Sequence, residues 1–395
     1  MVSAAYDHLV AIIVVGVLFM GTVVALPFST LQTVDQQQLR NAALNVFDSM
    51  LLDVGSPSNW GSLYYFDQQG NVKFDPTTTT KFGLAYADPF SKYVLDPDKV
   101  QRLNEDELGY EAVRKLLNIQ DLYGFRFNIY RPFRVAHTLT LTESSIHFSV
   151  TVTRTEDGTP IPNADVKVTT FVTAASTQNI TQYINQPIDP FSSKTDISGS
   201  CQGTLSPPPG DYVLRYAVAI MEITVAGMST TVVAQSDNSI TQYIDMKTYG
   251  DTVVLSIRGE ATKDLTFDDP GGRRRLSEVA AYDSKNLISI PFDEQRNNIN
   301  WGGQNVSMTF PGLRALNPTV LLMALTVNLR NTGDPRSGGP TPILVAGPFG
   351  FADSGKIFEF GGDSAAKNPI AIMRRLVVIS DMTYVAEIAF WRELA

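Results

Sequence analysis

Apolar and polar positions follow three different patterns along the chain. From Leu9 to Phe28 no charged residue interrupts an apolar run. Wound into a helix, a run of this length reaches about 30 Å, the thickness of a bilayer's hydrocarbon core. Beyond it, Leu31, Val34, Leu39, Ala42, Ala43, Val46, Phe47, Met50, Leu51 and Val54 recur at spacings mostly of three and four. Gln36, Gln37, Gln38, Arg40, Asn45 and Asp48 fall between them, so one helical face is apolar and the other polar. Gly55-Ser56-Pro57 then stops the helix, because Gly caps it and Pro cannot continue it. The pattern predicts one long helix over residues 1–55, kinked near Pro27 and ending under a globular head.

After residue 55 the period changes. Asp96 can cap a helix that opens on Pro97, and apolar spacing from Val100 to Leu117 predicts short helices. Tyr123–Tyr130 alternates and reads as a strand, as do Leu376–Ile379 and Thr383–Trp391, joined by Ser380-Asp381-Met382. These pieces predict a discontinuous α+β head, 56–136 plus 365–395, packed on the amphipathic helix. Between them, 137–250 reads as a β-sandwich with strands at His147–Arg154 and Val166–Val172. Residues 251–364 form a second β-rich region, with strands at Val253–Ile257, Leu287–Ile290, Val306–Phe310 and Val320–Val327. The run Leu321-Leu322-Met323-Ala324-Leu325 is too short to cross a bilayer and predicts a buried strand. The expected fold class is mainly β with a long amino-terminal hydrophobic α-helix, and an immunoglobulin-like sandwich inserted in a β-rich head.

This lollipop layout resembles type IV pilins and their archaeal relatives. The resemblance rests on Val2-Ser3-Ala4 before the apolar run, and on Leu51-Leu52-Asp53-Val54-Gly55-Ser56-Pro57-Ser58-Asn59-Trp60-Gly61. Phe82-Gly83-Leu84-Ala85, Val94–Val100, Arg374–Ile379 and Phe390-Trp391-Arg392 extend it. It implies an assembly helix of Leu9, Val10, Ile12, Ile13, Gly16, Leu18, Phe19, Gly21, Pro27 and Phe28. Gly16 and Gly21 would ease close approach between helices. Asp7 lies near an early acid that such families pair with a neighbouring subunit's amino terminus. Two departures stand: the basic residue and glycine of a leader cleavage site do not precede Val2, and Asp7 is not at the usual fifth mature position. An incomplete leader and an uncut anchor therefore both stay open. A cut after Val23-Val24-Ala25 fits less well, since the apolar run exceeds a signal peptide's and no Lys or Arg precedes it.

The middle of the chain resembles carboxypeptidase-regulatory-like and bacterial immunoglobulin-like modules. Gly158 to Val168, Thr195-Asp196-Ile197-Ser198-Gly199 and Pro209-Gly210-Asp211-Tyr212 carry that likeness. It implies a sandwich used as a spacer or adhesion unit. The echo of Asn179–Ile184 in Ser239–Ile244 is too short to mark a repeat.

Composition narrows the chemistry. A net charge of −9 repels phosphate backbones, so nucleic acid is excluded as a partner. Arg273-Arg274-Arg275 follows Asp268-Asp269 and reads as a solvated turn. With Cys201 the single cysteine there is no intrachain disulfide, and nothing nearby activates it. His8, His137 and His147 form no ligand cluster, and neither Glu105-Asp106-Glu107 nor Asp268-Asp269 has EF-hand spacing. No nucleophile elbow or phosphate-binding loop is present, so neither an enzyme nor a cofactor is expected. Asn179-Ile180-Thr181 and Asn305-Val306-Ser307 are N-glycosylation acceptors that would be used on an external head.

The expected function is a pilin-like structural subunit of an extracellular filament, assembled through its amino-terminal helix and displaying β-domains for adhesion. One alternative is a non-polymerising, single-pass surface protein that binds the cell envelope or a surface machine in a stator-like role; the other, an envelope enzyme, finds no nucleophile, base and metal together in the sequence. Partners are further copies of the chain, membrane lipid before assembly, and envelope or host-surface components. The expected location is the cell surface.

Overall fold

A computed structural model describes residues 35–87, 92–120, 122–142, 145–175, 180–206, 213–236, 243–258, 265–267, 276–282, 287–291, 299–301, 304–329, 339–347, 358–363 and 369–393. Its first element is a helix through residues 35–52 (α1). Leu39, Ala43, Phe47, Met50 and Leu51 are buried, while Asp35, Gln36, Gln37, Gln38 and Arg40 are exposed. The long hydrophobic helix expected at the amino terminus is therefore corrected. No helix among the described residues is long and apolar enough to cross a membrane. α1 is amphipathic, so packing against the head stabilises it, and its polar face suits water rather than lipid. The run Leu9–Phe28 lies outside the described residues. Among the described residues the fold is mainly β, with a few helices and no long apolar one.

α1 lies on a four-stranded antiparallel sheet made of β3 (Tyr123–Tyr130), β20 (Phe358–Gly361), β21 (Ile370–Ile379) and β22 (Met382–Arg392), in the order β20-β3-β22-β21. Alternation supplies the contact: Phe125, Phe127 and Ile129 join Ala386, Ile388 and Phe390 in one core with Phe47 and Met50. The Phe47 and Phe127 rings meet edge-on at 6.4 Å. β21 begins at Ile370, earlier than its apolar pattern predicts, because β22 pairs with it along its whole length, from Met382 to Trp391. Ser380 and Asp381 turn the hairpin with φ of 46° and 64°, the left-handed pair that a twisted two-residue hairpin needs. Helices α2 (Pro97–Gln101) and α3 (Tyr110–Leu116) and the hairpin of β1 (Tyr64–Phe66) and β2 (Val72–Phe74) complete the head.

The remaining strands form two sandwiches stacked face to face. In the first, β4 (Phe133–Leu141), β5 (Ile146–Arg154) and β8 (Ser200–Leu205) face a sheet ordered β10-β9-β6-β7. That sheet contains β6 (Asp165–Ala175), β7 (Ile180–Lys194), β9 (Val213–Val225) and β10 (Met228–Gln235). The Thr195–Gly199 turn is held by its own side chains. The Asp196 carboxylate accepts from Ser198 N at 2.8 Å and Ser200 N at 2.9 Å, and Thr195 Oγ1 donates to Ile161 O at 2.8 Å. The second sandwich sets β11 (Ile244–Tyr249), β12 (Thr252–Ile257), β16 (Asn300–Trp301) and β17 (Asn305–Thr309) against a second sheet. This second sheet holds β13 (Leu265–Thr266), β14 (Leu276–Tyr282), β15 (Leu287–Ser289), β18 (Val320–Leu329) and β19 (Gly339–Gly347).

The two inner sheets bury their outer faces against each other. Val218 and Ile220 of β9 meet Val320, Leu322 and Ala324 of β18 between the sandwiches. The alternate residues, Ala217, Ala219 and Met221 on β9 and Leu321, Met323 and Leu325 on β18, fill the sandwich interiors. A strand buried on both faces has no polar side, which accounts for the uninterrupted Leu321–Leu325 run.

Candidate functional site

The motifs spread over both ends of the sequence meet at one place, beneath the second sandwich. Trp60 Nε1 donates to Gly83 O at 2.9 Å, Leu84 N to Met50 O at 2.8 Å, and Leu95 N to Val378 O at 2.8 Å. Gly83 is required there, since a Cβ would stand 2.2 Å from Asp53 O. Gly55, with φ of +76°, turns the chain out of α1, and a Cβ on it would stand 2.8 Å from Lys81 O. Asp96 caps α2 by accepting from Asp98 N at 3.0 Å, with Pro97 opening the helix.

Helix α2 then carries buried charge into the junction with β11. Lys99 is fully buried and donates to Val54 O at 2.8 Å and Ala85 O at 2.7 Å, with Asp96 at 3.8 Å. Arg314, from α4 (Leu313–Leu316) in the second sandwich, reaches Asp96 at 3.1 Å. Asp98 accepts from Ser62 Oγ at 2.7 Å, Thr248 Oγ1 at 2.6 Å and Gly250 N at 2.8 Å. Arg102, also fully buried, donates to Glu107 at 2.7 Å and to Thr248 O, and lies 3.8 Å from the centre of the Tyr249 ring. Lys247 and Tyr249 donate to the same Glu107 oxygen at 3.2 and 2.9 Å. Gln101 and Thr248 exchange bonds of 3.0 and 3.1 Å.

Burial and neighbouring charge set the protonation of this cluster. Burial pushes the Asp96 carboxyl up to about 6, Asp98 adds to that, and Lys99 and Arg314 oppose it. Burial likewise brings Lys99 down to about 8 against the pull of Asp96. For Glu107, burial raises the carboxyl, but Arg102, Lys247 and hydrogen bonds from Asn104 and Tyr249 together hold it below its ordinary value. Burial pushes Tyr249 up to about 12. A cavity of about 30 Å³ beside Asp96, Asp98 and Arg314 has room for a water molecule. It neighbours an open cleft of about 570 Å³ lined by Ser62, Tyr64, Tyr86, Tyr249 and Asp251.

In this cluster every carboxylate faces donors and every cation faces acceptors. The arrangement suits joining the head to the second sandwich. Among the described residues no group of three or more His, Cys, Asp or Glu is placed to hold a metal ion. Of the positions singled out in the sequence, Asp7, Leu9, Val10, Ile12, Ile13, Gly16, Leu18, Phe19, Gly21, Pro27, Phe28 and Asn179 lie outside the described residues. Asn305 sits on β17, half-buried, and its Nδ2 donates to Asn71 Oδ1 at 3.1 Å. Cys201 is buried in the first sandwich. The sequence reading did not find Asp98, Lys99 and Arg102 as functional residues. The visible signal was the density of charge from Asp96 to Arg102 in a chain with 18% charged residues.

No known family profile and no curated protein matches the chain. Among solved structures, a fragment of intimin in complex with the translocated intimin receptor's intimin-binding domain is 14% identical, with a TM-score of 0.16. The match covers 55% of this chain and 64% of that one, so this chain spans less than two thirds of the fragment. A chimeric titin Z1Z2 carrying a KLER peptide from decorin is 13% identical, covers 59% of this chain and 99% of its own, and has a TM-score of 0.13. At these values neither likeness carries an argument. The sandwich assignment rests on strand order and core packing.

Proposed function

We propose that the chain is a structural surface protein whose apolar segment Leu9–Phe28 enters lipid or packs against sister copies while the head carries two stacked β-sandwiches outward. In its fuller form it is a subunit of a pilin-like extracellular filament, displaying the sandwiches for adhesion to envelope or host surfaces. The supporting observation is where the molecule places its buried charge. Asp96, Asp98, Arg102, Glu107 and Arg314 lock the head to the second sandwich, and Lys99 braces Asp96 from within the head. A display protein needs its outer domains held at a fixed angle, and ion pairs between domains resist sliding as well as separation. The apolar segment, uncharged from Leu9 to Phe28, supplies the attachment.

Electron microscopy of cells and of purified protein tests this. Regular filaments labelled by an antibody to the head support assembly. Single particles that need detergent favour the plain surface anchor. A freely dissolved monomer retaining residues 1–34, with no detergent present, overturns both forms.

A further inference from the structure

The head sheet ends in two edges, β21 and β20, and among the described residues no strand pairs with the outer side of β20 or with residues 370–376 of β21. On β21, Val378 N donates to Tyr93 O at 2.9 Å and Val378 O accepts from Leu95 N at 2.8 Å, so that residue's backbone faces outward. Backbone groups of alternate residues point the same way, so those of Ile370, Ile372, Arg374 and Leu376 face outward too. Ile372 and Leu376 are 57% and 54% exposed. A long, exposed apolar edge is a template for another strand. At the opposite edge, Gly362 N donates to Phe125 O at 2.9 Å, which leaves the backbone groups of Gly361 and Glu359 facing away from β3.

The two edges match in direction, charge and register. Antiparallel order makes β20 and β21 run oppositely, so a copy set alongside in the same orientation offers β20 antiparallel to β21. β21 carries Arg374 and Arg375 and no acid, whereas β20 carries Glu359 and no base. One row of residues across the sheet reads Glu359, Asn128, Glu387, Arg374, with acid at one end and base at the other. Opposing Arg374 to Glu359 of a second copy continues that row. It also brings together two residues whose backbone groups both face outward, as a hydrogen-bonded pair requires. Ile372 then meets Gly361, which has no side chain to obstruct it.

We propose that β21 of one copy pairs antiparallel with β20 of a second copy of this chain, Arg374 opposite Glu359 and Ile372 opposite Gly361. The contact uses different surfaces on the two copies, so it is open-ended and adds further copies. It rests on the reading that copies assemble side by side, and it names the surface they use.

The test uses the full chain in detergent, in a Cys201→Ala background, with Arg374→Cys and Glu359→Cys made separately and mixed. Opposed residues in such a pair lie about 5.5 Å apart, within disulfide reach. Within one chain the two positions are three strand spacings apart, roughly 14 Å, and cannot bridge. The expected result is a disulfide-linked dimer from the mixture, lost when Ile372→Pro is added to the Arg374→Cys chain. That proline removes no bond within the sheet, because the Ile372 N–H faces outward. Arg374→Glu or Glu359→Arg alone weakens association about tenfold, and the two together restore it. The cysteine and proline variants keep the proposal falsifiable if charge reversal disturbs Glu387 or Arg126. Absence of the mixed dimer, equal linkage of Arg374→Cys to itself, or linkage indifferent to Ile372→Pro each overturns the proposal. Filaments without the mixed dimer sink this contact and leave the assembly reading standing. A mixed dimer from a chain soluble without detergent sinks the anchoring and leaves the contact.

Discussion

Removing the Asp98 carboxylate is the sharpest probe of the junction. Asp98 is 4% exposed, and Ser62 Oγ, Thr248 Oγ1 and Gly250 N all donate to it. Asp98→Ala leaves these donors without that acceptor. Ser62 is half-buried and can turn to water, whereas Thr248 and Gly250 are buried and cannot. A hydrogen bond to a charged group is worth about 1.5–3 kcal/mol, so two stranded donors cost about 3–6 kcal/mol. Loss of the repulsion between Asp98 and Asp96 returns part of this, and a net cost of about 3 kcal/mol is expected. Thr248→Val should cost about 1–2 kcal/mol alone and little more in the Asp98→Ala background, because the bond is already gone. Native-state hydrogen exchange resolves where the loss falls. Amides of Thr248 and Gly250 should exchange faster, while those of Val150 and Val168 in the first sandwich core keep their protection. A cost under about 1 kcal/mol, or strict additivity of the two substitutions, refutes the view that this carboxylate locks the head to the second sandwich.

Three further outcomes are expected. Asp96 has a folded pKa of about 6, above its ordinary 3.8, so its contribution to stability is full below 3.8 and is lost as pH rises through 6. Unfolding at several pH values should therefore show wild type gaining on Asp96→Asn as pH falls from 7 to 4, and equal slopes would count against the burial argument. Leu322→Ala, in the layer between the sandwiches, should cost about 2–5 kcal/mol in urea unfolding, whereas Ile197→Ala, at a residue 94% exposed, should change stability by less than about 0.5 kcal/mol. Gly83→Ala should cost about 3 kcal/mol or prevent folding, since its Cβ would meet the Asp53 carbonyl at 2.2 Å. A soluble, unshifted Gly83→Ala variant would show that the α1–Gly83 contact can relax.

Local pattern fixed much of the secondary structure. The spacing of Leu39, Ala43, Phe47 and Met50 predicted the buried face of α1, and alternation placed β3 and β5, and apolar runs β12 and β18, within a residue or two of where they lie. Asp96 and Pro97 announced α2. These signals are local because a helix or strand repeats its burial every few residues, and side-chain chemistry records that repeat directly. The described segment 35–52 is an amphipathic element of the head, as its spacing predicts, and the apolar run Leu9–Phe28 lies outside the described residues.

The junction was only half legible. The motifs that build it were visible as separate strings, but nothing in them said that residues near 54, 85, 98, 248 and 314 share one interior. Such contacts join positions up to 218 residues apart, and their energy depends on what each group finds when water is excluded. Lys99 and Arg102 look like surface residues in the sequence, and only packing by α1, the Phe82–Ala85 segment and β11 buries them. The stacking of the two sandwiches was hidden for the same reason. An apolar run such as Leu321–Leu325 says that both faces of a strand avoid water, and the sequence alone determined that much. Which surfaces cover those faces was decided by the tertiary structure, because burial is a property of neighbours and not of the residue itself.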